Sequence, residues 1–421
     1  MIRRVKAAVA VLLCAVLLAS CGDASVFSDS ENLTKKVKRS TDTALTYHYA
    51  DGAQDPPTTY TTFANGVTTF ALSAFRARSQ AEKGSFVFST ASSFLQLNLL
   101  ANAASADTRL EILQALAGNL TLDDCNACSS YFKSRIESVS KIGQKEAPDA
   151  QVTLGGALLV DKDTDVKTSF LQTDQNFFGY DVFRFDFKDE HAASKLDAYF
   201  KDYTDNSGIS LTGGTMHTAS ALSVSDAWLE ASVPTGKGTF NGADGAREAD
   251  YFTSDAKALK SDKATGVMKY TAKTPLKLLL IQPKEGTSLG DYIDSFDIHE
   301  LEALLGSVDI TAKDVAAIPA FSVTTDKKAV PLSDSLSKSG LYSLFTDKAG
   351  FSALNYTNNG KLGEMYEIPT DFTVSQNGVN AEASTAAKAD AQKPTVTIDR
   401  PFIFMLLDNE SNLPLLMGQY Q

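Results

Sequence analysis

Basic charge is in short supply. The 421 residues hold 39 Lys and Arg against 51 Asp and Glu, a formal net charge of −12. No stripe of clustered Lys and Arg interrupts that balance, which excludes nucleic acid as a partner, because phosphate binding depends on such clusters displacing counterions. Histidine is rarer still: His48, His191, His217 and His299 are scattered, with no pair at the spacing of metal ligands. HELEA at His299 begins like a zinc-protease helix, but no second His follows four residues on. Asp161, Asp163 and Asp165 copy the opening of a calcium loop, yet Val166 stands where the turn needs Gly and Gln172 where the closing Glu belongs. Gly236, Gly238 and Gly242 have the wrong spacing for a dinucleotide turn, and neither a GxSxG elbow nor a P-loop occurs. No fixed-period repeat is present, which excludes solenoids and propellers. These gaps leave no case for an enzyme, a metal or a cofactor.

What is present is enough apolar material for a large core: 43% hydrophobic residues with 21% charged. No internal break in composition divides the chain. Residues 1–20 read as an export signal, with Arg3, Arg4 and Lys6 ahead of an apolar run from Ala7 to Leu18 that is too short to span a bilayer. The run ends in Leu18-Ala19-Ser20-Cys21, which resembles the lipobox of bacterial lipoproteins. That implies an acylated Cys21 and a protein held at a membrane or cell envelope; an ordinary secretory signal with Cys21 incidental is the alternative. Residues 21–55, rich in Ser, Thr, Asp and Lys, suit a solvated tether, and residues 56–421 a globular domain. Cys125 and Cys128 form a CxxC pair without a second ligand pair for zinc and outside a thioredoxin-like βαβ setting, so a disulfide across a local loop is expected.

The domain mixes element types. FALSAFRAR is apolar, KGSFVFS is strand-like and a helix begins near Thr90 or Ser92. ADTRLEILQALAG has helical spacing, with Asp107 or Thr108 as cap and Gly118 as stop. VTLGGALLV, YDVFRFDF and LKLLLIQP read as strands. SFLQTDQNFF, AASKLDAYFKDYT, the acidic stretch to Leu305 and LSDSLSKSGLYSLF read as helices. The tail, TVTIDRPFIFMLLDNESNLPLLMGQY, has two apolar runs around a turn, a hairpin buried on both faces.

Ahead of that hairpin lies GVNAEASTAAKADAQKP. Val379, Ala381, Ala383, Thr385, Ala387, Ala389 and Ala391 alternate with Asn380, Glu382, Ser384, Lys388, Asp390 and Gln392, and only Ala386 breaks the pattern. A period of two gives an extended form one small face and one wet face. Its strand propensity is weak, so it reads as a latent strand; an Ala-rich linker or frayed helix is the alternative.

The flanks resemble the serpin family over most of residues 60–421. VTIDRPFIFML, with Asp399, Arg400, Pro401 and Phe402, fits the family's C-terminal signature. FSTASSF, ADTRLEILQAL, LLLIQPKEG, IPAFSV and LSKSGLYSLFTDKAGFSAL precede it and LLMGQY follows it, in the family's order. The resemblance implies an α+β fold with about three β-sheets, eight or nine helices and an exposed reactive-centre loop. It also implies a monomer without cofactor whose partners are serine, and also cysteine, endopeptidases. A protease cleaves the loop, an acyl-enzyme forms, and the loop inserts into the central sheet and traps it. The alternative is a non-inhibitory serpin acting as a surface binding or structural protein. The hinge falls on Gly378, Val379, Asn380, Ala381, Glu382, Ala383, Ser384 and Thr385. Counting forward from Gly378 puts the reactive bond at Gln392-Lys393, and counting back from Pro401 puts it at Asp390-Ala391. Departures from the family pattern are Gln376 at the usual hinge Glu, Val379 and Asn380 in place of Thr-Glu, Glu382, Ile368 at a common His, and a displaced Trp228.

Overall fold

The computed structural model describes residues 26–40, 55–137, 150–204, 206–325, 328–357, 360–381 and 393–421. As far as residue 137 it is mostly helical: α1 (Tyr60–Ala81), β1 (Phe86–Phe88), α2 (Thr90–Ala103), α3 (Ala106–Ala117) and α4 (Leu122–Glu137). The Ser89 hydroxyl caps α2 by accepting from Ser92 N–H at 3.2 Å. The α3 helix starts one residue before Asp107, which therefore sits in the first turn, where its charge suits the helix dipole, rather than at the cap. Gly118, at φ 64, ends it as expected.

The chain continues through β2 (Gln151–Asp161), α5 (Thr168–Phe177), β3 (Asp181–Phe185), α6 (Ala192–Tyr199), β4 (Met216–Ala227), β5 (Ser232–Gly242), β6 (Gly245–Lys260), β7 (Ala264–Tyr270) and β8 (Leu276–Pro283). The expected acidic helix is two, α7 (Leu289–Ser295) and α8 (Ile298–Gly306), because Phe296 is extended and Asp297 caps the second by accepting from Glu300 N–H. After β9 (Asp314–Pro319), β10 (Phe321–Val323) and β11 (Val330–Pro331), the helix read from LSDSLSKSGLYSLF shrinks to α9 (Ser333–Ser337). Gly340, at φ 106, stands in its path. Then come β12 (Leu362–Ile368), β13 (Phe372–Val374), β14 (Gly378–Val379), β15 (Val396–Thr397), β16 (Phe402–Asp408) and β17 (Pro414–Tyr420).

Nine of these strands form one hydrogen-bonded set and eight form another. The first is two sheets joined by a single long strand, since residues 251–256 of β6 pair with β9 and residues 257–260 pair with β7. The C-terminal hairpin β16–β17 lies inside this set with both faces buried, as the two apolar runs required. The second set is the central sheet. Its strands β3, β2, β4, β12 and β11 lie side by side, and β14, β13 and β10 continue from one end of β4.

The central sheet divides two apolar clusters. Helix α2, almost wholly buried, supports the inner face with Met216, Leu222, Val224 and Met365 in the main core. The outer face, with Ala219, Ala221, Tyr366 and Ile368, is covered by Leu196 and Tyr199 of α6 and by Phe27. Residues 26–40 are thus no free tether. Phe27 stacks on Phe183 at 3.9 Å, Leu33 N–H donates to Val182 O, Lys195 pairs with Glu31 at 2.6 Å, and Asn32 forms a bridge with Phe183. Composition concealed this because Phe27 and Leu33 are isolated among polar neighbours.

Cys125 and Cys128 also depart from expectation. DDCNACSS is no loop but part of α4, and both cysteines are free, buried thiols. Desolvation pushes their pKa values up to about 12 and about 11, which favours the protonated thiol over the nucleophilic thiolate.

Between sheet and helix the inner face carries polar groups. Glu367 on β12 accepts from Ser89 N–H at 2.5 Å. Its other oxygen, Thr218 Oγ1 on β4 and Thr90 Oγ1 and Gln96 Oε1 on α2 are buried with no hydrogen-bond partner. Each such group costs about 1–3 kcal/mol. Burial lifts Glu367 from the ordinary 4.5 to about 7, against the opposing Arg78 charge and the Ser89 N–H.

Two outcomes follow. Phe27→Ala should lower the unfolding free energy by about 3 kcal/mol in denaturant titrations, whereas Lys35→Ala, whose partner Asp29 is exposed, should leave it unchanged within the error of the same titrations. Glu367 binds a proton in the native state that the unfolded chain has already lost, so its contribution is greatest below its unfolded value and disappears as pH rises through about 7. Glu367→Gln should therefore gain on the wild type between about pH 5 and pH 8, by up to about 3 kcal/mol. Comparing the two proteins cancels the slopes from His217, drawn down to about 4 by burial, and from Asp174, raised to about 7 by burial. A difference independent of pH would contradict this.

Candidate functional site: the hinge and the seam of the central sheet

The site begins with an unusual pairing. At the middle of an otherwise largely antiparallel sheet, β4 and β12 run parallel, from Leu362 against Met216 to Ile368 against Ala221. Parallel ladders are slightly weaker per residue than antiparallel ones. A strand arriving between β4 and β12 in the opposite direction would replace one parallel ladder by two antiparallel ones. The seam is also where Thr218, Glu367, Thr90 and Gln96 hold unpaired atoms.

A short strand already stands in line with the mouth of that seam. β14 pairs antiparallel with the end of β4, Gly378 against Ala227 and Val379 against Asp226, and its other edge meets β13 through Val379 against Val374. Val379 is fully buried in the main core, the inward orientation that its place in the alternation predicts. Gly378 is needed for the close approach: a Cβ there would lie 2.0 Å from Asp226 O. Asp226 fixes the end of β4 by accepting from Thr274 N–H and Thr274 O–H, both at 2.7 Å, and from Lys273 N–H at 3.1 Å. Trp228 closes the corner, its indole N–H donating to Ser375 O at 2.8 Å.

The sequence misreads Asn380. Its place on the polar side of the alternation predicts an outward, wet side chain, whereas its carboxamide bonds inward to both neighbouring strands. The only sequence signal is weak: Asn tolerates left-handed backbone, and Asn380 has φ 46. Of the other hinge residues, Ala381 is described and half-buried. Glu382, Ala383, Ser384 and Thr385 lie outside the described residues, as do Asp390, Ala391 and Gln392 of the two bond assignments, and Cys21. Lys393 is described and exposed.

The far flank is anchored in the other strand set. Thr395 N–H donates to Val315 O at 2.8 Å, β15 pairs parallel with β9, and Ile398 N–H donates to Ala317 O. The Asp399-Arg400-Pro401-Phe402 signature does the anchoring. Asp399 N–H donates to Gln282 Oε1 at 3.1 Å, Asp399 O accepts from Asn241 N–H at 2.8 Å, and Arg400 pairs with Asp399 at 3.4 Å. Pro401 then leads into Phe402, which is buried against Phe321 and Tyr420. The small-residue stretch thus joins the mouth of one sheet to the edge of another. Among the described residues no cluster of His, Cys, Asp and Glu could hold a metal ion, and no helix is long and apolar enough to cross a membrane.

Comparison with known proteins fits this arrangement. Residues 65–225 and 248–421 match the family model described as "Serpin (serine protease inhibitor)". The alpha-1-antitrypsin-like protein GS55-LT of Ictidomys tridecemlineatus is 22% identical over 374 residues, covering 83% of this chain and 86% of the relative. The native-state crystal structure of the thermophilic serpin tengpin superposes with a TM-score of 0.74 at 20% identity, over 92% of this chain and 98% of that one. A thyroxine-binding globulin complex with thyroxine superposes at 0.69, also at 20% identity, over 85% and 98%. With the matched segments taking in most of β4, all of β12 and the whole C-terminal hairpin, the chain belongs to the serpin family.

Proposed function

We propose that this serpin is an exported inhibitor of serine, and also of cysteine, endopeptidases, and that it is consumed by the reaction it inhibits. The observation that supports this most is β14, an antiparallel strand seated between β4 and β13 and directed at the parallel seam beyond.

The protease nucleophile attacks the carbonyl of the reactive bond in the stretch between Ala381 and Val396, and the C–N bond breaks. The carbonyl carbon becomes an ester or thioester on the protease, and the new amine stays with the β15 flank. In an ordinary substrate, water then hydrolyses the ester. Here the hinge flank is freed to extend β14 down the seam. It exchanges the parallel β4–β12 ladder for two antiparallel ones and brings backbone and Thr385 toward the polar groups beneath. The acyl-enzyme travels with it before water can act. Small residues at Ala381, Ala383 and Thr385 keep this step fast, since a bulky or charged side chain entering the inner face would be desolvated. Gln392-Lys393 is the preferred bond and Asp390-Ala391 the alternative. Lipid on Cys21 would hold the inhibitor at the cell envelope.

Incubation with a panel of serine and cysteine endopeptidases should yield a covalent complex that survives SDS, with the cut located by mass spectrometry of the released peptide. Ala381→Arg should abolish the complex while cleavage persists. Clean cleavage by every protease, with no complex, would instead favour a non-inhibitory binding protein.

A further inference from the structure

The chain stops inserting at a defined residue. After Val379, Asn380 adopts φ 46, one of two non-glycine positions among the described residues with positive φ. That conformation costs an L-residue about 1 kcal/mol or more and turns the backbone out of the strand. The side chain recovers the cost. Asn380 Oδ1 accepts from Thr373 N–H at 2.7 Å on β13, and Asn380 Nδ2 donates to Val224 O at 2.9 Å on β4 and to Asp371 O at 3.2 Å. Asn380 N–H donates to Thr373 O at 2.8 Å, and Asn380 O accepts from Ser225 O–H at 3.0 Å. One carboxamide thus occupies main-chain donors and acceptors on both sides of the gap.

We propose that Asn380 is a latch. Its side chain stands in for the peptide group of the next inserted residue, holding the chain two residues into the sheet and setting the barrier to further insertion. This rests on the insertion reading of function. For Ala381 to enter opposite Val224, Asn380 must leave its left-handed conformation and release Val224 O, Asp371 O and Thr373 N–H together. Asn380 is therefore a positioning residue: it touches no part of the protease, and it sets when the strand may move.

Glycine and alanine separate the two parts of the device. Asn380→Ala removes the carboxamide and also disfavours the turned-out backbone, whereas Asn380→Gly removes the carboxamide and keeps that backbone accessible. The single Trp of the chain, Trp228, is a built-in probe, bonded to Ser375 O and Asn377 O just before β14. Purified protein is nicked once in the 382–392 stretch by a protease that forms no complex, and Trp228 fluorescence is followed after mixing. The latch predicts a fluorescence change in all three proteins, about tenfold or more faster in both Asn380→Ala and Asn380→Gly than in the wild type. Equal rates in the three proteins would overturn the latch and leave insertion standing. Acceleration in Asn380→Ala alone would assign the barrier to backbone conformation and likewise overturn a carboxamide latch. No fluorescence change in any nicked protein would overturn insertion itself, and the latch with it.

Discussion

The parallel pairing of β4 with β12 is the constraint on which the rest of the molecule turns. Two strands held side by side in the same direction, over a layer of buried hydroxyl, amide and carboxyl groups of which one atom each is left unpaired, make an arrangement that folds yet leaves hydrogen-bonding capacity unused. A sequence optimised for stability alone would fill that layer with apolar side chains. Under the proposed function, Thr218, Glu367, Thr90 and Gln96 would instead make the sheet a receptor for one more strand.

The other elements bear on how that capacity is held in reserve. Helix α2 supplies the floor, and α6 with residues 26–40 covers the opposite face, with Phe27 packed on Phe183. The two ends of the small-residue stretch are fixed in different sheets, by β14 on one side and by β15 with Asp399 to Phe402 on the other. With both ends tied, the chain reaches no further than the mouth of the seam, where Val379 is the last paired residue. In the proposed inhibition, cutting the stretch would untie one end, coupling the covalent event to the rearrangement through connectivity rather than through a distant contact.

Much of this is legible in the sequence because it follows from periodicity. The inward place of Val379, the buried hairpin of β16 and β17 and the apolar spacing of α3 each reflect one-dimensional pattern, and the ordered motifs around Phe402 identify the family. What was not legible depends on contacts between distant segments. Asn380 looks like any polar residue on a wet face until Val224 and Thr373 are placed on either side of it. Phe27 looks incidental in a polar tether until β3 supplies Phe183. Cys125 and Cys128 look like a loop pair until their neighbours are seen to complete α4. Glu367 carries no motif at all, since its raised pKa comes wholly from what covers it.

The proposed inhibition requires the sheet to be more stable with an additional strand than without one. The most direct measurement is the thermal unfolding midpoint of the intact chain and of the same chain cut once within residues 382–392, with both fragments retained. Insertion predicts that the cut protein unfolds at a markedly higher temperature than the intact one, although a covalent bond has been removed. An equal or lower midpoint would contradict the account, because a nick in a chain that gains no new pairing can only leave stability unchanged or reduce it.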